Sequence, residues 1–143
     1  MILAGRGRRA AKTIARHLRE QGIEPELVLC SSAQRARETL ERIEPALGTP
    51  TVQVEGDLYA ASAPVLLERL RSVPATVDSV MLIGHNPGLQ DLALELARSS
   101  PTADELAAKY PTAALATLEL PAWHELDHGT AELIALVRPR ELE

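Results

Sequence analysis

His85 lies in the stretch Gly84-His85-Asn86-Pro87-Gly88, where an apolar run stops and an amphipathic segment begins. An imidazole can donate, accept or carry charge near neutral pH. Gly84 permits close backbone approach, and the amides of a following helical turn point toward the strand end. That combination suits an anion, phosphate above all. A structural or merely exposed ring is the plainer reading of a lone histidine. The second place is Ser31-Ser32-Ala33-Gln34-Arg35-Ala36-Arg37-Glu38-Thr39. Arg35 falls in the first turn of a helix, where a guanidinium can grip phosphate oxygens with two parallel bonds. Its plainer reading is a surface arginine paired with Glu38 or Thr39. Arg37 suits that role better, because Glu41 follows four residues later on a solvated face.

Other chemistry-bearing residues fit less well. His124-Glu125-Leu126-Asp127-His128 matches H-E-x-x-H, in which two histidines on one face of a long helix hold zinc. Here it is squeezed between Pro121 and Gly129, so a polar connection between two strands is expected, with no metal bound. Arg16-His17 falls inside an amphipathic helix and reads as solvated surface. Cys30 ends a buried strand and reads as packing. No G-x-S-x-G, P-loop or G-x-G-x-x-G occurs, and Gly5-Arg6-Gly7 lacks the spacing of a phosphate-cradling loop.

These residues need elements to position them. Helical spacing predicts a helix over 7–21, ended by Gly22. "ELVLCS" is a short buried strand, after which Ser32 can cap a helix over 33–47. "TVQVE" alternates as a strand, and Ser62 can cap a helix over 63–72. "DSVMLIG" is a buried strand, followed by a helix over 87–98 with Pro87 in its first turn. "ALATLEL" and "AELIALV" read as strands joined by "PAWHELDHGT". Strands alternating with helices imply right-handed crossovers and a mainly parallel sheet. Ligands then bind outside the carboxyl ends of the strands, where both Ser31-Ser32 and His85 fall.

Composition bounds the reading. The 143 residues, 45% hydrophobic and 24% charged, suit one domain with a real core, spanning 1–143. A net charge of −5 argues against a general nucleic-acid binder. With two tyrosines, one tryptophan and no phenylalanine, base-stacking platforms are unavailable. No apolar run is long enough for a membrane span and no leader is visible, so a cytoplasmic location is expected.

Taken together, the segments "RGRRAAKTIARHL", "LVLCSSAQRARETLE", "DLYAAS", "SVMLIGHNPGLQDLALEL", "KYPTAALATLEL" and "LVRPREL" resemble the histidine phosphatase superfamily, in its small SixA-like branch of phosphohistidine phosphatases. The resemblance implies a phosphoglycerate mutase-like three-layer α/β/α sandwich. It implies phosphoryl transfer through a phosphohistidine intermediate, without metal or organic cofactor. The substrate would be a protein phosphohistidine, or alternatively a small phosphoester. The family site holds two histidines and two arginines around the phosphate. Arg35 matches the second arginine and His85 the second histidine. Asn86 would support the same pocket, and Asp57 lies near the place of a proton-donating acid in related phosphatases. The first strand and the Arg-His dipeptide that carries the nucleophile are expected to be missing. Three explanations stay open: an N-terminally incomplete sequence, a phospho-ligand-binding variant without turnover, or another residue such as His17 taking over. The 143 residues as written are expected to be inactive.

Overall fold

The computed structural model describes residues 2–4, 8–110 and 114–142. In chain order they form strand β1 (Ile2–Ala4), helix α1 (Arg8–Gln21), strand β2 (Leu27–Ser31), helix α2 (Gln34–Ile43) and strand β3 (Thr51–Glu55). Helix α3 (Ala63–Arg71), strand β4 (Val80–Gly84) and helices α4 (Gly88–Leu96) and α5 (Pro101–Ala108) follow. Strands β5 (Leu115–Glu119) and β6 (Glu132–Val137) and the short helix α6 (Pro139–Leu142) complete the chain.

The strands make one sheet in the order β3-β2-β4-β1-β5-β6. Strands β3, β2, β4 and β1 are mutually parallel, and β5 runs antiparallel to both β1 and β6. Strands β2 and β4 are buried at every residue, so their apolar runs serve both faces. On one face Val28, Cys30, Met81 and Ile83 pack under Ile14 and Leu18 of α1 and Ile43 of α2. On the other, Leu29 and Leu82 pack under Leu70 of α3, Leu92 of α4 and Leu106 of α5. Each leucine so buried contributes roughly 1.5–3 kcal/mol. The result is the expected α/β/α sandwich with a mainly parallel sheet. Among the described residues no helix is long and apolar enough to cross a membrane.

The expectation that the first strand is missing is corrected. Ile2–Ala4 lies inside the sheet, pairing Ile2 with Leu82 and Ala4 with Gly84 on one side and Leu3 with Leu115 on the other. The physical reason is the ladder itself: a vacant central slot would leave the backbone groups of β4 and β5 without partners. Three residues suffice to bridge them, although so short a run carries no periodic signal.

Helix boundaries shift as well. Helix α2 starts at Gln34, and Ser31 rather than Ser32 supports its start, accepting the Ala33 amide on Oγ at 3.2 Å. It ends at Ile43 and tightens into a 3-10 turn over Glu44–Ala46, because Pro45 cannot donate to the ladder. Ser62 occupies the cap position of α3 without a side-chain bond, and α4 ends at Leu96. Helix α5 was not anticipated. Its start does have a local signature: the Ser100 Oγ accepts the Ala103 amide at 3.0 Å and Pro101 takes the first helical position.

Candidate active site

The sheet topology singles out one end. After β1 the chain crosses toward β2 over one face, and after β4 it crosses toward β5 over the other. Neighbouring strands whose connections diverge open a crevice at their carboxyl ends. β1 and β4 are such a pair, and His85 is the first residue beyond β4. Strand β2 is the other neighbour of β4, and the turn beyond it leads to Arg35 in the first turn of α2. Arg35 and His85 therefore rise from adjacent strand ends. Gly5-Arg6-Gly7, which follows β1, lies outside the described residues.

The two arginines of α2 are chemically distinct. Arg37 donates through Nε to the Ser32 carbonyl at 3.0 Å, which pins the turn between β2 and α2. That bond, rather than the expected pairing with Glu41, is its structural role. Glu38 is engaged by the Gln34 amide at 3.0 Å, and the Thr39 hydroxyl donates to the Arg35 backbone carbonyl at 3.0 Å. The Arg35 guanidinium is exposed and, among the described residues, has no hydrogen-bond or ion-pair partner. The half-buried His85 ring likewise has none among the described residues. Two donor groups left unspent on adjacent strand ends are free to serve an anion.

The loop around His85 is well anchored. The Leu89 amide donates to the His85 carbonyl at 3.0 Å. Asn86 Nδ2 donates to the Tyr110 carbonyl at 2.8 Å, and its Oδ1 accepts the Gln90 amide at 3.3 Å. The Asn86 side chain is thus spent on protein, and its backbone amide is what remains for a ligand. The Asn86–Pro87 peptide is cis. Gly88 packs so closely on the loop that follows β3 that a Cβ there would overlap the Ala61 carbonyl oxygen. That same loop holds Ala60 at φ 51°, a left-handed conformation costly for a residue with a Cβ.

Asp57 is exposed in the 3-10 turn Gly56–Leu58, directly beyond β3. It is two strand positions from β4. The turn is anchored by Arg69 of α3, whose Nε and Nη2 donate to the two carboxylate oxygens of Glu55 at 2.7 and 2.9 Å. The bond to Glu55 raises the Arg69 pKa above its usual value.

The remaining motifs fall elsewhere. His17 sits in the second half of α1, roughly 14 Å along the helix axis from its start. His124 belongs to a single 3-10 turn, Trp123–Glu125, and His128 follows it, so the two rings do not share a helical face. They engage different carboxylates, Glu125 at 3.7 Å and Glu95 at 3.4 Å. Among the described residues no three His, Cys, Asp or Glu side chains converge as a metal site requires. A cavity of about 750 Å³ opens at the opposite end of the sheet, where Leu70, Val73, Val80, Leu118 and Trp123 give it an apolar wall. Cys30 is fully buried, and burial pushes its thiol up to about 12. Alkylation of the native protein at pH 9, where an ordinary thiol is largely ionised, is therefore expected to run about a hundredfold slower than in denaturant. Equal rates in a timed iodoacetamide quench would show the thiol to be accessible and ionised.

The fold is a mainly parallel α/β/α sandwich that carries an unspent arginine and histidine on the adjacent ends of β2 and β4. Residues 1–59 match the family profile of the histidine phosphatase superfamily (branch 1). An uncharacterized protein of Mycobacterium tuberculosis is 33% identical over 143 residues, covering 96% of this chain and 89% of that protein. One of Mycobacterium leprae is 32% identical over 142 residues, with 96% and 86% covered. The structure assigned to phosphohistidine phosphatase SixA of Nakamurella multipartitia superposes with a TM-score of 0.82 at 27% identity, covering 97% of this chain and 93% of that one. The structure of the protein histidine phosphatase SixA complexed with tungstate gives 0.76 at 25% identity, with 93% and 81% covered. The chain belongs to the histidine phosphatase superfamily and is SixA-like.

Proposed function

We propose that the site is that of a phosphohistidine phosphatase directed at a phosphorylated protein. Arg35 and the His85 ring hold the phosphoryl oxygens, the backbone of Asn86 closes the loop around them, and Asp57 stands at the edge as the candidate acid. The observation that carries this reading is the pair of unspent groups on adjacent strand ends, His85 at the topological switch point and Arg35 beside it beyond β2. Phosphoryl transfer asks a protein mainly for positioning and for charge placed against the equatorial oxygens. The tungstate bound by the related SixA structure is an oxyanion of comparable shape. Loops of modest length around the strand ends favour a phosphate borne on a protein surface over one enclosed in a deep pocket.

Hydrolysis by this family's route also needs a histidine nucleophile at the end of β1. In the sequence, Ala4 is followed by Gly5-Arg6-Gly7, with no histidine. The purified 143-residue chain is therefore expected to bind orthophosphate and tungstate but not to turn over a histidine-phosphorylated phosphotransfer domain or p-nitrophenyl phosphate. Release of phosphate from the phosphohistidine protein above the uncatalysed rate would overturn the assignment of the nucleophile. Turnover of the small ester alone would redirect the substrate class. Failure to bind either oxyanion would remove the site itself.

A further inference from the structure

The last turn of α5 is finished by side chains from three separate elements. A helix leaves its final carbonyls without intrahelical donors. Here no glycine follows to close them by a left-handed turn; the chain reads Ala107-Ala108-Lys109-Tyr110, and Lys109 is extended at φ −161°. Gln90 of α4 donates through Nε2 to the Leu106 carbonyl at 2.8 Å and to that of Ala107 at 3.4 Å. Arg138, beyond β6, donates through Nη2 to the carbonyls of Glu105 and Lys109, each at 3.2 Å. Asn86 takes the Tyr110 carbonyl.

Two of these caps belong to one circuit. The Gln90 backbone amide donates to Asn86 Oδ1, while its side chain holds the turn that leads to Tyr110. Tyr110 in turn accepts Asn86 Nδ2. Asn86 is thus held at both ends of its amide, once directly by Gln90 and once through the α5 turn that Gln90 caps. It is the residue after His85.

We infer that Gln90 is a positioning residue for the His85 loop, acting through the α5 turn and Asn86, and that its amide sets the affinity of the site for a phosphoryl group. This rests on the phosphate reading of His85 given above. Removing the amide leaves the Leu106 and Ala107 carbonyls without these bonds. The turn then loosens, the Tyr110 carbonyl withdraws, and Asn86 loses its outer anchor. The His85 ring is left to sample orientations that do not face the ligand.

The experiment uses the 143-residue chain with Gln90→Met, which keeps length and net charge but has no donor. Orthophosphate affinity is measured by calorimetry, and protection of the Asn86 side-chain amide against exchange by NMR. The control is Trp123→Phe, which deletes a comparable bond, indole to the Val77 carbonyl at 2.8 Å, at the other end of the sheet. Gln90→Met is expected to raise the Kd for orthophosphate about tenfold, the value of one to two such bonds, and to abolish the Asn86 protection. Trp123→Phe is expected to leave both unchanged. If the methionine variant does not fold, Gln90→Asn, one methylene short of the Leu106 carbonyl, must give the same two changes. Wild-type affinity and protection in the Gln90 variant would overturn the inference, leaving Gln90 as a cap of α5 alone. Wild-type binding that survives Arg35→Ala and His85→Ala would instead overturn the phosphate reading, and the Asn86 exchange would still report on the clamp.

Discussion

Arg35→Ala is expected to cost about 3 kcal/mol of oxyanion binding, roughly a hundredfold in the Kd for orthophosphate or tungstate. The size follows from what the guanidinium does elsewhere on the same helix. Arg37, two residues on, is tied to the Ser32 carbonyl, whereas the Arg35 guanidinium has no partner among the described residues. All of its donors are thus available to a ligand, and no internal bond need break first. Arg35→Lys keeps the charge but loses the planar fork, so about a tenfold loss is expected. Arg37→Ala should instead loosen the turn after β2 and change affinity by about twofold or less. Calorimetric titration of the three variants at fixed ionic strength checks this, since exposed charges are screened by salt. A larger loss for Arg37→Ala than for Arg35→Ala would reverse the assignment.

Gly88→Ala is expected to destabilise the fold by about 3 kcal/mol, toward the upper end for overpacking. The new Cβ would overlap the Ala61 carbonyl oxygen, while Leu66 on the same side stands at ordinary contact distance. A flexible side chain could swing aside, but a backbone carbonyl cannot move without its loop. That loop is held near one end by Arg69 on Glu55 and carries the left-handed Ala60. For a chain of this length the midpoint of thermal unfolding should fall by about 10 °C. The same change should weaken phosphate binding, because Gly88 opens the helix that follows the His85 loop. An unfolding midpoint within about 2 °C of wild type would mean that the loop yields freely.

Much of this molecule is legible along the chain. The apolar runs of β2 and β4 and the helical spacing of Ile14, Ala15 and Leu18 are local signals, because burial on both faces or on one stripe demands those residue types in that order. His85 and Arg35 could be singled out for a related reason: His85 follows such a run immediately, and Arg35 stands in the first turn of the helix that follows the other. Helix α5 was missed because it offers only Ala103 and Leu106 to the core, too little for periodicity to register. Strand β1 was missed for a different reason. Three residues define no period, and their pairing is dictated by β4 and β5, whose points of contact, Leu82 and Leu115, lie far along the chain.

The division of labour between Arg35 and Arg37 shows the boundary most sharply. Both stand in the opening turns of α2 and both could bind phosphate or pair with a neighbour. What separates them is a single carbonyl, that of Ser32, presented at a distance and angle set by how the turn leaves the sheet. Likewise Asn86 could be read as a ligand of phosphate until Tyr110, 24 residues away, claims its amide. The sequence by itself determined the layered α/β class, the two buried central strands and the placing of Arg35 and His85 at strand ends, since these depend on residue type and short-range order. The tertiary structure alone decided that β1 closes the sheet, that β1 and β4 form the switch point, and which polar groups are spent on the protein. Those outcomes depend on which backbone donors and acceptors meet across long separations, and no local pattern carries that information.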